Sequence, residues 1–102
     1  MKLIELAARA DKAEAFLKAM ANRHRLMILC ELHKGEQSVG VLQETIGLSQ
    51  SALSQHLARL REDELVKTRR ESQTIYYSLA SNEASQVIAL LYDLFCAPKS
   101  KS

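Results

Sequence analysis

Gln50, Ser51, Ser54 and Gln55 are four short, uncharged side chains within six positions, each able to donate and accept hydrogen bonds at the edges of base pairs. Arg59 follows them and Arg61 comes two positions later, cations of the kind that hold phosphates. Ser49, just ahead, is a good N-cap, so a helix beginning there aims bare N–H groups outward at the same end. His56 is the only group in the stretch that titrates near neutral pH, and it reads as a phosphate or turn contact with no catalytic partner. The chemistry on offer is recognition, not bond making. Taken alone, the same polar face is also what an ordinary solvated helix presents.

Two cysteines make a second candidate. Cys30 ends the apolar run Leu26-Met27-Ile28-Leu29-Cys30, where a thiol can be simple packing. Cys96 lies 66 positions further on, a separation that rules out a Cys-x-x-Cys oxidoreductase. A direct disulfide requires the two Cα atoms within about 7 Å, and the order of residues does not fix that distance. Cys30, His33 at i+3 and Cys96 could instead be three metal ligands, a poor zinc cage without a fourth.

The elements that must position these residues follow from periodicity. Leu53, Leu57 and Leu60 form a stripe at i, i+4, i+7 opposite the polar set, so residues 49–62 read as an amphipathic helix docked on its own protein. Ser38 caps a short preceding helix with Val39, Leu42 and Ile46 on one face, and Gly47-Leu48-Ser49 makes a tight corner between the two. Residues 38–62 thus predict a helix-turn-helix. Residues 65–70 and 74–79, rich in β-branched and aromatic types, predict a hairpin around Glu71-Ser72-Gln73. That makes residues 65–79 a wing, laying Arg69, Arg70, Gln73 and Thr74 along the DNA backbone or into the minor groove; a plain edge hairpin with solvated arginines is the other reading. Asn22 caps a central helix that runs to Gly35.

Residues 3–20 read as one helix, and a last helix follows Ser81 or Asn82 with Ala84, Val87, Ile88, Leu91, Leu94 and Phe95 on one stripe. These terminal stripes exceed what one small core can cover, so residues 1–20 and 81–96 are expected to pair with a second copy as a twofold dimer on an inverted-repeat site. The fold class is therefore mainly α with a small β-hairpin, a winged helix-turn-helix in a single domain over residues 1–97. Pro98 ends the last helix, and residues 98–102 are expected to be a flexible tail.

A net charge of +2 permits nucleic-acid binding without requiring it. Glu5, Arg9 and Asp11 break any leader-like apolar run, and the longest charge-free run, Thr45 to Ala58, has 14 residues against the roughly 20 that a membrane crossing needs. The expected compartment is the reducing cytoplasm, where two cysteines are not a structural staple by default.

Leu17-Lys18-Ala19-Met20-Ala21-Asn22, Arg25-Leu26, Ile28-Leu29, Leu48-Ser49-Gln50-Ser51, Ser54-Gln55-His56-Leu57 and Tyr76-Tyr77-Ser78-Leu79, in that order, resemble the ArsR/SmtB family of bacterial winged-helix repressors over residues 14–97. The resemblance implies a homodimer that occupies a double-stranded operator and releases it when an inducer binds. The family's metal sensors carry a Cys-x-Cys-type motif where this chain has Ser38-Val39-Gly40, or ligands along the last helix, where residues 82–96 hold no histidine. No metal and no cofactor is expected.

Cys30 with Cys96, Glu71-Ser72-Gln73-Thr74 and the ending Leu94-Phe95-Cys96-Ala97 are similar to the HlyU, BigR and SqrR subgroup of thiol-based sensors. That likeness implies that a sulfur species or oxidant is the inducer and that Cys30 and Cys96 are joined by a disulfide or polysulfide bridge. A metal-responsive repressor using Cys30, His33 and Cys96, and a non-sensing protein that displaces another from DNA, are the alternatives. Two positions depart from the family pattern. Glu64 stands where Gly is common, and Val41 replaces the acid that would complete a capping box with Ser38.

Overall fold

Four side-chain caps set the frame of the structure, a computed structural model that describes residues 1–96. Asn22 Oδ1 accepts from the amides of His24 (2.9 Å) and Arg25 (3.1 Å) and starts α3 (Arg23–His33). Ser38 Oγ accepts from Val41 N at 3.2 Å and starts α4 (Val39–Ile46). Ser49 Oγ accepts from Ala52 N at 3.2 Å and starts α5 (Gln50–Glu62). Ser81 Oγ accepts from Ala84 N at 3.0 Å and starts α6 (Asn82–Phe95). Each oxygen satisfies donors that the first turn of a helix leaves free. Ser38 does so without the acidic partner of a capping box.

Between α4 and α5 the chain turns at Gly47, whose φ of 80° places it in the left-handed region that glycine enters without strain. Leu53, Leu57 and Leu60 of α5 are each exposed by 2% or less, and burying each contributes about 1.5–3 kcal/mol. They pack with Ile28, Leu29 and Leu32 of α3 and Leu42 of α4 in one core. α3 touches α4, α5, α6 and the sheet, the central position its apolar run predicted.

The far end of α5 closes in a Schellman arrangement. Leu65 N donates to Leu60 O at 2.9 Å and Glu64 N to Arg61 O at 3.0 Å, with Glu64 at φ 63°. Glu64 therefore adopts a left-handed conformation that glycine enters more readily than a residue with a side chain.

β2 (Val66–Glu71) and β3 (Thr74–Leu79) form the expected hairpin around a two-residue turn, Ser72-Gln73, with Ser72 at φ 56°. The sheet has a third strand beyond that hairpin. β1 (Gln37–Ser38) pairs antiparallel with β3 at Tyr77 and Tyr76, giving the order β1-β3-β2. Two residues are too few to show a period of two, so β1 left no trace in the pattern.

The single helix expected over residues 3–20 is two helices, α1 (Leu3–Ala7) and α2 (Ala10–Met20). At Arg9 (φ −122°, ψ 11°) the backbone leaves the helical region, and Arg9 N turns to Leu6 O at 2.9 Å. No glycine or proline marks the break. α1 buries none of its residues, so no packing holds it in line with α2. α6 seats Ala84 and Ile88 in the core but leaves Leu94 and Phe95 exposed. No described helix is long and apolar enough to cross a membrane. Ala97, Pro98 and the tail expected over residues 98–102 lie outside the described residues.

Candidate nucleic-acid interface and thiol pocket

The polar face of α5 is open. Gln50, Ser51, Ser54 and Gln55 are all exposed, and Ser49 Oγ lies 3.5 Å from Ser51 Oγ at the helix start. Gln50, Ser54, Arg61 and Glu62 form one wall of a groove of about 630 Å³, and Ile75 and Tyr77 of β3 form the facing wall. Reading helix and wing thus share one concave surface.

Arg59 and His56 each have a partner within the protein. Arg59 Nε donates to Asp63 Oδ2 at 2.8 Å, one turn along the same helix. His56 is half-buried against α3, its ring 5.7 Å from that of His24. Burial lowers its pKa below the usual histidine value, and the nearby Arg25 and His24 lower it further. The structure therefore gives His56 an internal neighbour in His24 of α3 while leaving it partly exposed. Its position three after Leu53 and four before Leu60, on the flank of the core stripe, is the sequence signal for that placement. Arg25 is itself tied down, with Nε donating to Ala19 O at 2.7 Å and Nη2 to Lys18 O at 3.2 Å, which seats the end of α2 on α3.

In the wing, Arg70 pairs with Ile75 and Arg69 with Tyr76. Successive strand residues point to opposite faces, so Arg70 stands on the groove side with Ile75 while Arg69 stands on the back. The guanidinium of Arg69 is occupied by Glu36 and Glu71. Gln73 is exposed in the turn, and Thr74 is exposed beside it, paired with Glu71. Among the described ion pairs none involves Arg61 or Arg70.

Distant in sequence, Cys30 and Cys96 line one pocket. It is an apolar space of about 310 Å³ between α3 and α6, walled by Leu26, Met27, Ile88, Leu91, Tyr92 and Phe95. Cys30 is half-buried, Cys96 is exposed at the C-cap of α6, and both thiols are free. Cys30 also borders a second opening with His33, Lys34, Tyr92 and Asp93. Among the described residues no three His, Cys, Asp or Glu side chains come together as a metal set, so Cys30, His33 and Cys96 do not assemble the ligands of the metal-responsive alternative within one chain.

Comparison with known proteins gives consistent relatives. The family described as "Bacterial regulatory protein, arsR family" matches residues 22–68. The chain is 54% identical over 96 residues to the transcriptional activator HlyU of Vibrio cholerae, covering 94% of this chain and 89% of that protein. The structure of reduced HlyU from Vibrio cholerae superposes with a TM-score of 0.87 at 54% identity, covering 93% of this chain and 100% of the other. That of the transcriptional repressor BigR from Xylella fastidiosa superposes with a TM-score of 0.91 at 41% identity, covering 96% and 100%.

Proposed function

The chain belongs to the ArsR family of bacterial regulatory proteins and is a DNA-binding transcriptional regulator, not an enzyme; we propose that it is a cytoplasmic repressor whose hold on DNA is switched through Cys30 and Cys96. The observation that carries this reading is the shared pocket: two free thiols on α3 and α6, with apolar walls between them. A bridge there would fasten the last helix to the central helix against which α5 packs.

The inducer in this reading is a small persulfide. One cysteine thiolate attacks its outer sulfur, becomes a persulfide and releases the donor's thiol. The second thiolate then attacks the first cysteine's Sγ, expels hydrosulfide and leaves a disulfide. The donor's sulfur is the oxidant, reduced to hydrosulfide as the two thiols are oxidised. A second donor molecule, adding one sulfur before closure, gives a bridge longer by one atom.

In this reading DNA is released by a movement of helices. The exposed apolar residues of α1, α2 and α6 suit a twofold homodimer, which presents two copies of α5 to the half-sites of an inverted repeat. Within each half-site Ser49, Gln50, Ser51, Ser54 and Gln55 meet bases or phosphates at the helix start, and Arg61, Arg70 and Gln73 meet the backbone. A shift of α6 relative to α3 moves the two reading helices out of register, and every base they then fail to reach costs about 1–3 kcal/mol of affinity.

The deciding experiment exposes the reduced protein separately to glutathione persulfide, glutathione disulfide and hydrogen peroxide. Intact mass and binding to a DNA duplex selected by the protein from a random pool are read on the same samples. A Cys30–Cys96 bridge formed with persulfide, with affinity lost in the wild type and kept in the Cys30→Ser, Cys96→Ser double variant, is the expected result. Unmodified thiols, or a bridge that leaves DNA binding intact, would return Cys30 to core packing and favour the non-sensing displacement protein.

A further inference from the structure

The wing carries two adjacent arginines with different work to do. On the back of the sheet Arg69 Nε donates to Glu36 Oε2 at 3.1 Å and Nη2 to Glu36 Oε1 at 2.8 Å, a two-pronged pair. Nη1 donates to Glu71 Oε1 at 3.1 Å, and the guanidinium carbon sits 4.5 Å from the centroid of the Tyr76 ring. β3 lies between β2 and β1, so this side chain crosses the middle strand to reach the residue just ahead of β1. From Glu36 the chain runs through Gln37 and Ser38 directly into α4, the first helix of the helix-turn-helix. One guanidinium thereby fastens the wing to the lead-in of the reading unit.

We propose that Arg69 is a positioning residue, holding the wing at the angle at which Arg70 meets the DNA backbone, with Glu36 as its working partner. The inference rests on the DNA-binding reading but not on the thiol switch. An isolated exposed ion pair contributes little, but a fork with two carboxylates over an aromatic face is a network. The hydrogen bond from Arg69 holds the Glu36 carboxyl below its usual pKa, and the two glutamates raise that of Arg69. With two carboxylates already on it, Arg69 has little net charge to offer a phosphate.

Glu36→Gln separates the possibilities by sign. If Glu36 is only an acid near DNA, removing its charge strengthens binding; if it holds the wing, the same change weakens it. Binding of the protein-selected duplex, followed by fluorescence anisotropy over a series of salt concentrations, reads both outcomes. Glu36→Gln and Arg69→Ala should each weaken binding by about five- to tenfold, the low end of ordinary coupling between sites, with an unchanged salt slope. The charge swap Glu36→Arg with Arg69→Glu, made in a Glu71→Gln background so that no carboxylate opposes the new one, should restore most of the affinity. Arg70→Ala should instead lower the salt slope by about one per wing.

Tighter binding by Glu36→Gln overturns the proposal. So does a slope loss in Arg69→Ala equal to that in Arg70→Ala with no rescue by the swap. Should Arg69→Ala fail to fold, Glu36→Gln still decides. A wild-type protein that selects no duplex would overturn the DNA-binding reading itself.

Discussion

The amide of Leu65 donates to the carbonyl of Leu60 at 2.9 Å, closing the reading helix over Glu64, which stands between them at φ 63°. Both leucines are buried, so the closure is part of the core, while the exposed Glu64 side chain bears a left-handed backbone without a glycine's freedom.

Glu64→Gly should accordingly stabilise the protein by about 0.5–1 kcal/mol, the relief of left-handed strain outweighing the added freedom of the unfolded chain. Thermal melts at matched protein concentration should show a rise of a few degrees. A fall in melting temperature would mean that the Glu64 side chain contributes something its exposed position does not suggest.

Asn22 caps the central helix with two amide contacts, at 2.9 and 3.1 Å. Asn22→Ala should destabilise by about 1 kcal/mol, and Asn22→Asp, which keeps the accepting oxygen, by much less. Urea titration distinguishes the two; equal losses would place the role of Asn22 elsewhere than in its cap.

His56 is lowered below 6.5 by burial and by Arg25 and His24. Between that lowered value and 6.5 the unfolded chain holds a proton that the folded chain refuses. Its contribution is fully present above 6.5 and diminishes as pH falls through this window. His56→Gln should therefore lose less melting temperature than the wild type between a mildly alkaline and a mildly acidic buffer. Identical losses would remove His56 from the acid response.

Gln55 projects from the open face of α5, free of the core. Gln55→Ala should relax base preference at one or two positions of each half-site, a change of about 1–3 kcal/mol per contact, while leaving the salt slope as it was. Selection from a random duplex pool with wild-type and variant protein checks this. An unchanged selected sequence would assign Gln55 to solvent.

Much of this architecture is legible in residues. Asn22, Ser38, Ser49 and Ser81 are capping types at the places where apolar periodicity begins, and Leu53, Leu57 and Leu60 declare the buried side of the reading helix. Illegible features are those set by neighbours remote in sequence or by the want of any neighbour. Nothing in the order of residues brings Glu36 to Arg69, 33 positions away, although strand alternation alone already puts Arg69 and Arg70 on opposite faces. The meeting of Cys30 and Cys96 in one pocket depends on how α6 lies across α3, which periodicity does not determine. No glycine or proline announces the break at Arg9, and α1 before it shows an absence of burial that periodicity did not foretell.

In the proposed homodimer that absence would make the start of the chain a gauge of assembly. Five residues are far too few to stay helical in water on their own merits, and α1 has no buried residue to reward its helical state. Any surface that covers Leu3, Ile4 and Leu6 must therefore supply the winding of the turn along with its own adhesion, so winding and association become a single equilibrium. Amide exchange over the first seven residues would then track copy number, slow in a crowded solution and fast in a dilute one, while the α3 amides kept one pace throughout.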